Sequence, residues 1–367
     1  MLLPLGEYGR IFDRLREAET LARVLGDRQR LAQVSVYMTE YFRRMRDRDH
    51  AIESGQRALA LATAHGDVGL QVMAHFYVGS ISYDLGDYRR VVDLLSWNVA
   101  ALAGDLIRER FGMTGLPSVL SRVCLSWSLA ELGAFADGLL RGEEAVRIAE
   151  AADHPFSLIW AYFGIGHLYL RTGDVHRSIS VLDRGLGLCQ DWHIPALFAA
   201  VASPLGAAYT LAGRVPEALP LLEQAASKGQ ELQALAFTRL SEAYLRVGCT
   251  EDALDRAQRA LALSQQYQQR GYQAYALRLL GDIAAYHNPP EAAQAEAYYR
   301  QALALADELG IRPLQAHCHR GLGTLYTKRG QREQAHAELS EAIGLYRAME
   351  MTFWLPQAEA ALAQVEG

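Results

Sequence analysis

The stretch that decides the fold is GAAYTLAGRVPEALPLLEQA, residues 206–225. Within it a small residue, an aromatic residue, a glycine and two alanines follow one another at fixed distances: Gly206, Tyr209, Gly213, Ala218 and Ala225. Glycine and alanine at facing positions allow two helices to cross closely, because no large side chain holds the backbones apart. A glycine between them is typical of a left-handed helix end. The stretch therefore predicts helix, tight turn, helix.

The same order of residue types recurs along the chain. Taking the position of Ala218 as an anchor, equivalent positions are separated by 40, 47, 40, 40, 35, 42 and 40 residues: Ala51, Val91, Gly138, Ser178, Ala218, Ala253, Ala295 and Ala335. Small residues precede the anchors by twelve positions, with Gly281 displaced by two more: Thr39, Gly79, Ser126, Gly166, Gly206, Ser241, Gly281 and Gly323. A glycine stands five positions before six anchors: Gly86, Gly133, Gly173, Gly213, Gly248 and Gly330. The period predicts eight repeats of about forty residues.

One helix pair cannot bury its apolar face alone, so the pairs must stack. The sequence predicts an all-α fold, a right-handed α-solenoid of about eight helix-turn-helix repeats in a single domain over residues 1–367. A half repeat is expected at 1–26, the full repeats at 27–348, and a capping helix at 353–366. Prolines fit the first turns of helices, where no helical hydrogen bond is lost: Pro155, Pro195 and Pro313.

Composition excludes several classes of protein. Half of the 367 residues are hydrophobic, which excludes a mainly disordered chain, and the net charge of -6 offers no basic surface for nucleic acid. The four cysteines are widely spaced, which argues against disulfides or a zinc site. The uncharged segment from Ile194 to Gly213 contains two prolines and fits the repeat, so a buried helix is favoured over a membrane span. With no secretory signal visible, we expect a cytoplasmic protein.

These columns resemble the tetratricopeptide repeat family, and the resemblance extends from about Leu5 to Ala348. The period near forty is longer than the usual thirty-four of that family. Long-period arrays of this kind are similar to the sensor arms of bacterial maltose-activator-like transcription regulators and ATPase-linked nucleotide cyclases. The resemblance implies a regulatory arm that receives a signal in a multidomain bacterial signalling protein.

The sequence lacks the familiar catalytic motifs, so no enzyme activity and no cofactor are expected. It contains neither a phosphate-binding P-loop, nor an H-E-x-x-H zinc helix, nor a G-x-S-x-G elbow. His317 and His319 flank Cys318, but positions two apart on a helix point about 200° apart, so the imidazoles cannot share a metal ion. No metal site is predicted.

The candidate ligand contacts lie on the first helices, which should line the concave wall. Six residues define what we call the aromatic cluster: Phe76, Tyr83, Trp127, Trp160, Phe163 and His167. Aromatic residues with a polar tip are favoured anchors of binding surfaces, although the same residues could simply pack between neighbouring repeats. Arg278 and Arg320 could bind a carboxylate or phosphate, or they could pair with Asp282 and Glu242.

Two functions remain open at this point. The first is a non-catalytic scaffold that holds a peptide, a partner protein or other domains of its own parent chain in a long, open groove. The second is a sensor with a closed pocket of converging polar groups that takes up a small molecule and controls a linked ATPase, cyclase or transcription activator. Tyr83, Arg108 and His167, near the insertion between Ala101 and Pro117, are the candidates for such a pocket. No direct contact with nucleic acid or a membrane is expected.

Overall fold

The computed structural model describes residues 8–228, 232–287 and 291–366, and over these residues the regular structure is helical. Residues 1–7 of the predicted half repeat lie outside this range. Short 3-10 helices occupy Gly104–Arg108 and Pro195–Leu197. The α-helices are α1 Tyr8–Val24, α2 Arg28–Met45, α3 Arg48–His65, α4 Val68–Leu85, α5 Tyr88–Ala101, α6 Pro117–Glu131, α7 Phe135–Ala151, α8 Pro155–Thr172, α9 Val175–Asp191, α10 Phe198–Leu211, α11 Val215–Lys228, α12 Gln233–Arg246, α13 Thr250–Gln266, α14 Arg270–Tyr286, α15 Ala292–Leu309, α16 Arg312–Lys328, α17 Arg332–Ala348 and α18 Leu355–Glu366.

These helices form the predicted solenoid. From α2 to α17 they pair in sequence order into eight helix-turn-helix units, with α1 packed before the first unit and α18 after the last. Each first helix also contacts the first helices of adjacent units, so the first helices form a continuous inner wall. The capping helix starts at Leu355, two residues later than predicted, because residues 352–354 form a turn.

The turn glycines adopt the conformation that the spacing predicts. All six have positive φ, from 72° at Gly330 to 85° at Gly173. At two of the six turns an aspartate directly after the glycine starts the second helix, Asp87 and Asp174: Asp174 accepts a hydrogen bond of 3.1 Å from the backbone N–H of Arg177. The glycine therefore ends one helix and the aspartate begins the next.

The small residues allow the close helix crossings that the sequence predicts. A Cβ atom added at Gly206 would lie 2.5 Å from Cγ of Leu222, and the same distance separates such an atom at Gly166 from Cγ of Leu182. Where serine replaces glycine, the hydroxyl is used: Ser241 donates to the carbonyl oxygen of Ala253 at 2.6 Å. Any larger residue at these positions would separate the two helices of a unit.

The superhelix also contacts itself from one turn to the next. In three successive units, the turn between the two helices contacts the C-terminal end of the second helix of another unit. That other unit is the fifth one further along the chain. The Arg46 guanidinium lies 3.3 Å from the centre of the Tyr267 ring, while a Cβ at Gly86 would approach Leu309 to 2.9 Å and one at Gly133 would approach Sδ of Met349 to 2.6 Å. We call these the turn-to-turn contacts. They close the sides of the superhelix and enclose its inner wall.

The uncharged segment is a buried element of this wall. Its 3-10 turn at Pro195 is followed by α10, which carries buried residues from Ala199 to Thr210. In the described part of the chain, every helix is too short or too polar to cross a membrane.

Candidate functional site

Five of the six residues of the aromatic cluster come together on α4, α6 and α8. Trp127 lies at the centre, with ring centres of the others 4.6 to 6.1 Å away: Tyr83, Trp160, Phe163 and His167. The contacts are edge-to-face or tilted, which is the geometry that aromatic pairs prefer. The first helices of consecutive units thus bring together side chains that are about forty residues apart in sequence.

Most of this cluster is buried. Tyr83, Trp127, Phe163 and His167 are between 3% and 9% exposed, and the indole N–H of Trp127 donates to the carbonyl oxygen of Gly164 at 3.3 Å. Trp160 is half-buried. These side chains therefore contribute to the hydrophobic core in the closed superhelix, as the packing alternative predicts.

Phe76 lies beside this group on α4 and is also half-buried. Its ring meets the edge of Tyr77 at 5.5 Å between centres, and it packs against two separate parts of the core. Phe76 and Trp160 are therefore the members of the aromatic cluster with surface left to offer a ligand.

The two candidate arginines lie elsewhere and have partners. Arg278 is 9% exposed and pairs with Glu242 and, at 2.6 Å, with Asp282, as the ion-pair alternative predicts. Arg320 donates to the side-chain oxygen of Gln357 at 2.7 Å on the capping helix. These contacts leave Arg278 and Arg320 in structural roles in this state.

Arg108 does not join Tyr83 and His167 in one pocket. It lies exposed in the 3-10 helix of the insertion, and its guanidinium donates to the carbonyl oxygen of Ala151 at the end of α7. Tyr83 and His167 are buried on the inner wall. The three residues therefore belong to different surfaces.

The histidines around Cys318 also have separate partners. Nδ1 of His317 lies 2.7 Å from the hydroxyl of Tyr346, and Nδ1 of His319 lies 2.6 Å from a carboxylate oxygen of Glu338. The two imidazoles do not face a common point. Each imidazole therefore has its own hydrogen-bond partner on α17.

A buried polar network that the sequence analysis missed connects opposite sides of the interior. Glu131, at the end of α6, is 1% exposed and pairs with Arg171 of α8 at 2.9 Å. The other carboxylate oxygen accepts a 2.7 Å hydrogen bond from the hydroxyl of Tyr275 on α14. The Arg171 guanidinium lies 3.9 Å from the centre of the Tyr275 ring. One carboxylate therefore joins the third and fourth units to the seventh.

A second group lies next to the aromatic cluster. Arg239 of α12 is 5% exposed, and its guanidinium donates to the hydroxyl of Ser203 at 2.9 Å and to Nδ1 of His167 at 2.8 Å. Because a guanidinium can only donate, Nδ1 accepts and His167 is neutral with its proton on Nε2. Arg239 thus spans three consecutive first helices through two neutral partners.

The electrostatics of the interior follow from burial. Burial, together with the charges of Arg171 and Arg239, holds the pKa of His167 well below its ordinary value. Burial, reinforced by the charge of Arg171, lowers the pKa of Arg239 to about 10. Burial would also lower the pKa of Arg171, but the Glu131 carboxylate outweighs it and the pKa is raised. Ion pairing therefore compensates Arg171, whereas the hydrogen bonds of Arg239 to other described residues go to neutral groups.

The sequence did contain a signal for part of this network. Charged residues stand five positions after the small residue in four consecutive units, two acidic ones between two basic ones: Arg44, Asp84, Glu131 and Arg171. Equal register places such residues at the same end of neighbouring first helices, where opposite charges can pair. Arg239 and Tyr275 are outside this column, and no periodic signal marks them.

Comparison with known proteins agrees with this architecture. Residues 161–191 match the tetratricopeptide repeat family. The match covers most of α8 and all of α9, the two helices of the fourth unit. No curated protein gives a significant sequence match to the chain.

Solved structures of similar architecture extend the comparison to nearly the whole chain. The Rap conjugation gene regulator of plasmid pLS20, in complex with the Phr* peptide, is 12% identical with a TM-score of 0.62, covering 94% of this chain and 96% of that one. A Rap protein complexed with Competence and Sporulation Factor is 16% identical (TM-score 0.61), and the comparison covers 76% of this chain and 75% of the Rap chain. The human IFIT1 dimer with m7Gppp-AAAA is 14% identical (TM-score 0.56), and the comparison covers 99% of this chain and 79% of the IFIT1 chain. At these identities the similarity describes the fold.

Proposed function

We propose that this chain is a non-catalytic scaffold that binds a peptide, or a peptide-like segment of a partner protein, on the inner wall of its superhelix. Phe76 and Trp160 provide the first apolar contacts, and the buried members of the aromatic cluster join them as the turn-to-turn contacts loosen. Arg278 and Arg320 lie farther along the same wall as additional contacts. In this proposal the chain acts in the cytoplasm as the regulatory arm of a bacterial signalling protein.

The observation that carries this proposal is the pair of half-buried aromatic side chains, Phe76 and Trp160, that lie beside buried aromatic and polar groups on the inner wall. Aromatic residues that are partly exposed next to buried polar groups are typical of binding surfaces, because they combine apolar area with orientation. Two proteins of similar fold were solved with peptides, Phr* and Competence and Sporulation Factor, which supports the same kind of ligand here.

A small-molecule sensor is the second candidate, and a specific observation favours it. A metabolite site is expected to have converging polar groups, and three such groups, His167, Arg171 and Arg239, lie close together in the interior. The chain would then pass the change on ligand binding to an output domain.

The first test is selection of peptides from a random display library on the intact chain. Affinities of selected peptides are then measured for the wild type and for the Phe76→Ala/Trp160→Ala variant. Trp192→Ala is the matched control, since Trp192 is 58% exposed at the end of α9 and lies outside the cluster. We expect the double variant to weaken binding at least tenfold and the control to have no effect.

Equal affinities for wild type and double variant would refute the inner wall as the binding surface. Native mass spectrometry of the purified chain separates the two candidate functions. A retained small molecule, with no peptide selected, would favour the sensor.

A further inference from the structure

Arg239 is a buried, charged side chain whose hydrogen bonds to other described residues go to neutral groups. Only 5% of the residue is exposed, and both partners of its guanidinium, Ser203 and His167, are neutral. Buried arginines usually pair with a carboxylate, because removing an unpaired charge from water is costly. Two other arginines of the inner wall follow that rule: the partly buried Arg171 pairs with Glu131, and the buried Arg278 pairs with Asp282.

Among the described residues, the carboxylates nearest to Arg239 form their ion pairs with other arginines. Arg171 is close enough for its charge to lower the pKa of Arg239, and its nearest carboxylate, Glu131, also accepts a hydrogen bond from Tyr275. Glu242 attracts Arg239 at longer range but forms its ion pair with Arg278. Within the described part of the chain these carboxylates are thus engaged elsewhere, and the hydrogen bonds of Arg239 go to neutral groups.

His167 connects this guanidinium to the aromatic cluster. The His167 ring accepts the hydrogen bond from Arg239, and it also contacts the Trp127 ring at 6.1 Å between ring centres. A ligand that carries an apolar or aromatic group close to a carboxylate would therefore match both features at once. The two oxygens of a carboxylate also fit the donor fork of a guanidinium, which no ion pair occupies within the described residues.

We propose that Arg239 binds a carboxylate of the ligand, either the C-terminal carboxylate of a peptide or an acidic side chain, next to an aromatic or apolar residue held by the aromatic cluster. The inference rests on the proposed function for the kind of ligand, but it concerns a site of its own. On binding, the guanidinium exchanges a neutral partner for an anionic one. The ligand thereby supplies a direct anionic contact for Arg239.

The test compares ligands that differ only in this charge. N-acetylphenylalanine and its carboxamide are the first probe pair, since each offers one ring and the acid alone offers a carboxylate. Peptides selected on the chain are the second probe; each is synthesised as the free acid, as the C-terminal amide, and with Asp and Glu replaced by Asn and Gln. Affinities are measured by titration calorimetry with the wild type, Arg239→Gln and Arg246→Gln. Arg246 is the matched control, exposed on the same helix α12.

We expect the wild type and Arg246→Gln to prefer the charged ligand about tenfold or more, and Arg239→Gln to bind charged and neutral ligands alike. The peptide series shows whether the C-terminus or a side chain supplies the carboxylate. If Arg239→Gln does not fold, Arg239→Lys replaces it; lysine keeps the charge but lacks the donor fork, and the preference should shrink.

Three results would overturn the inference. The wild type could show no preference for the charged ligand in either probe series, or the preference could persist unchanged in Arg239→Gln. In the third result, adenosine monophosphate, which carries a phosphate in place of a carboxylate, would bind more tightly than the carboxylate probes, and its binding would depend on Arg239. Failure of the proposed function is a separate result. In that case no peptide is selected, while N-acetylphenylalanine still binds better than its amide and loses that advantage in Arg239→Gln.

Discussion

The hydroxyl of Tyr275 donates a 2.7 Å hydrogen bond to Oε2 of Glu131, across 144 residues of sequence. This contact joins α14 to α6, two first helices that are four units apart. The same carboxylate pairs with Arg171. Glu131 is therefore the point at which the early and late units of the superhelix are connected through their interior.

Removing the Tyr275 hydroxyl should weaken this connection. We expect Tyr275→Phe to lower the free energy of unfolding by about 1.5–3 kcal/mol, because a buried hydrogen bond to a charged acceptor is lost. Urea denaturation followed by circular dichroism measures the change. Tyr286→Phe is the control, since Tyr286 is 56% exposed at the end of the same helix. Equal stability of Tyr275→Phe and the wild type would mean that the contact does not hold the units together.

Removing one partner of the Glu131–Arg171 pair should cost more than removing both. Glu131→Leu leaves the Arg171 guanidinium without its carboxylate, and we expect a loss of about 3–5 kcal/mol in the free energy of unfolding. The double variant Glu131→Leu/Arg171→Leu should be more stable than Glu131→Leu alone, because no buried charge remains unpaired. A double variant as unstable as the sum of the single changes would show that the two side chains are not coupled.

The close crossing at Gly206 predicts a break in the solenoid when that residue is enlarged. In Gly206→Leu the new side chain would overlap Leu222, so we expect a loss of more than about 3 kcal/mol and unfolding of the two halves in separate steps. Urea denaturation with limited proteolysis detects both effects.

Gly187→Ala is the control for Gly206→Leu. Gly187 lies in helix α9 with open space around its Cβ position, and alanine there should raise stability slightly. One unchanged transition in Gly206→Leu would contradict the crossing.

The contact between Gly271 and Tyr88 tests the closure of the superhelix. A Cβ at Gly271 would lie 2.1 Å from the Tyr88 hydroxyl oxygen but 3.4 Å from Cζ. Gly271→Ala should therefore cost about 1–3 kcal/mol and increase the radius of gyration in solution scattering. In Tyr88→Phe/Gly271→Ala the clash is absent, so this variant should be as stable as Tyr88→Phe. Persistent destabilisation in the double variant would place the cause outside this contact.

His167 should make stability depend on pH. Its pKa is well below 6.5 in the folded state, so the unfolded chain binds a proton that the folded chain does not. Stability should therefore be full above about pH 6.5 and fall as the pH decreases below it, by at most about 1.4 kcal/mol per unit for one group. Buried His317 contributes in the same direction.

Urea denaturation of His167→Gln at pH 7, 6 and 5 measures this contribution. The variant should lose less stability on acidification than the wild type does. His176→Gln is the control, because His176 is exposed on α9. An identical pH dependence in His167→Gln and the wild type would contradict a neutral, buried His167.

The candidate site was predicted in part. The register brought Trp127, Trp160, Phe163 and His167 onto one wall, and the structure places them within ring contact. Register could not show that Trp127 is buried, because burial depends on how tightly the first helices of neighbouring units pack. It also could not connect His167 to Arg239, since their hydrogen bond spans 72 residues and two unit boundaries.

The sequence by itself determined the repeating unit. Gly206 against Leu222, and Gly213 at the turn, act within some twenty residues, so steric size and backbone freedom at fixed spacing are enough to specify each helix pair. Only the tertiary structure decided how far neighbouring units rotate relative to one another. That rotation brings Gly271 into contact with Tyr88 and Tyr275 into contact with Glu131. Those contacts depend on small rotations between units that add up along the stack, and no local residue spacing encodes that sum.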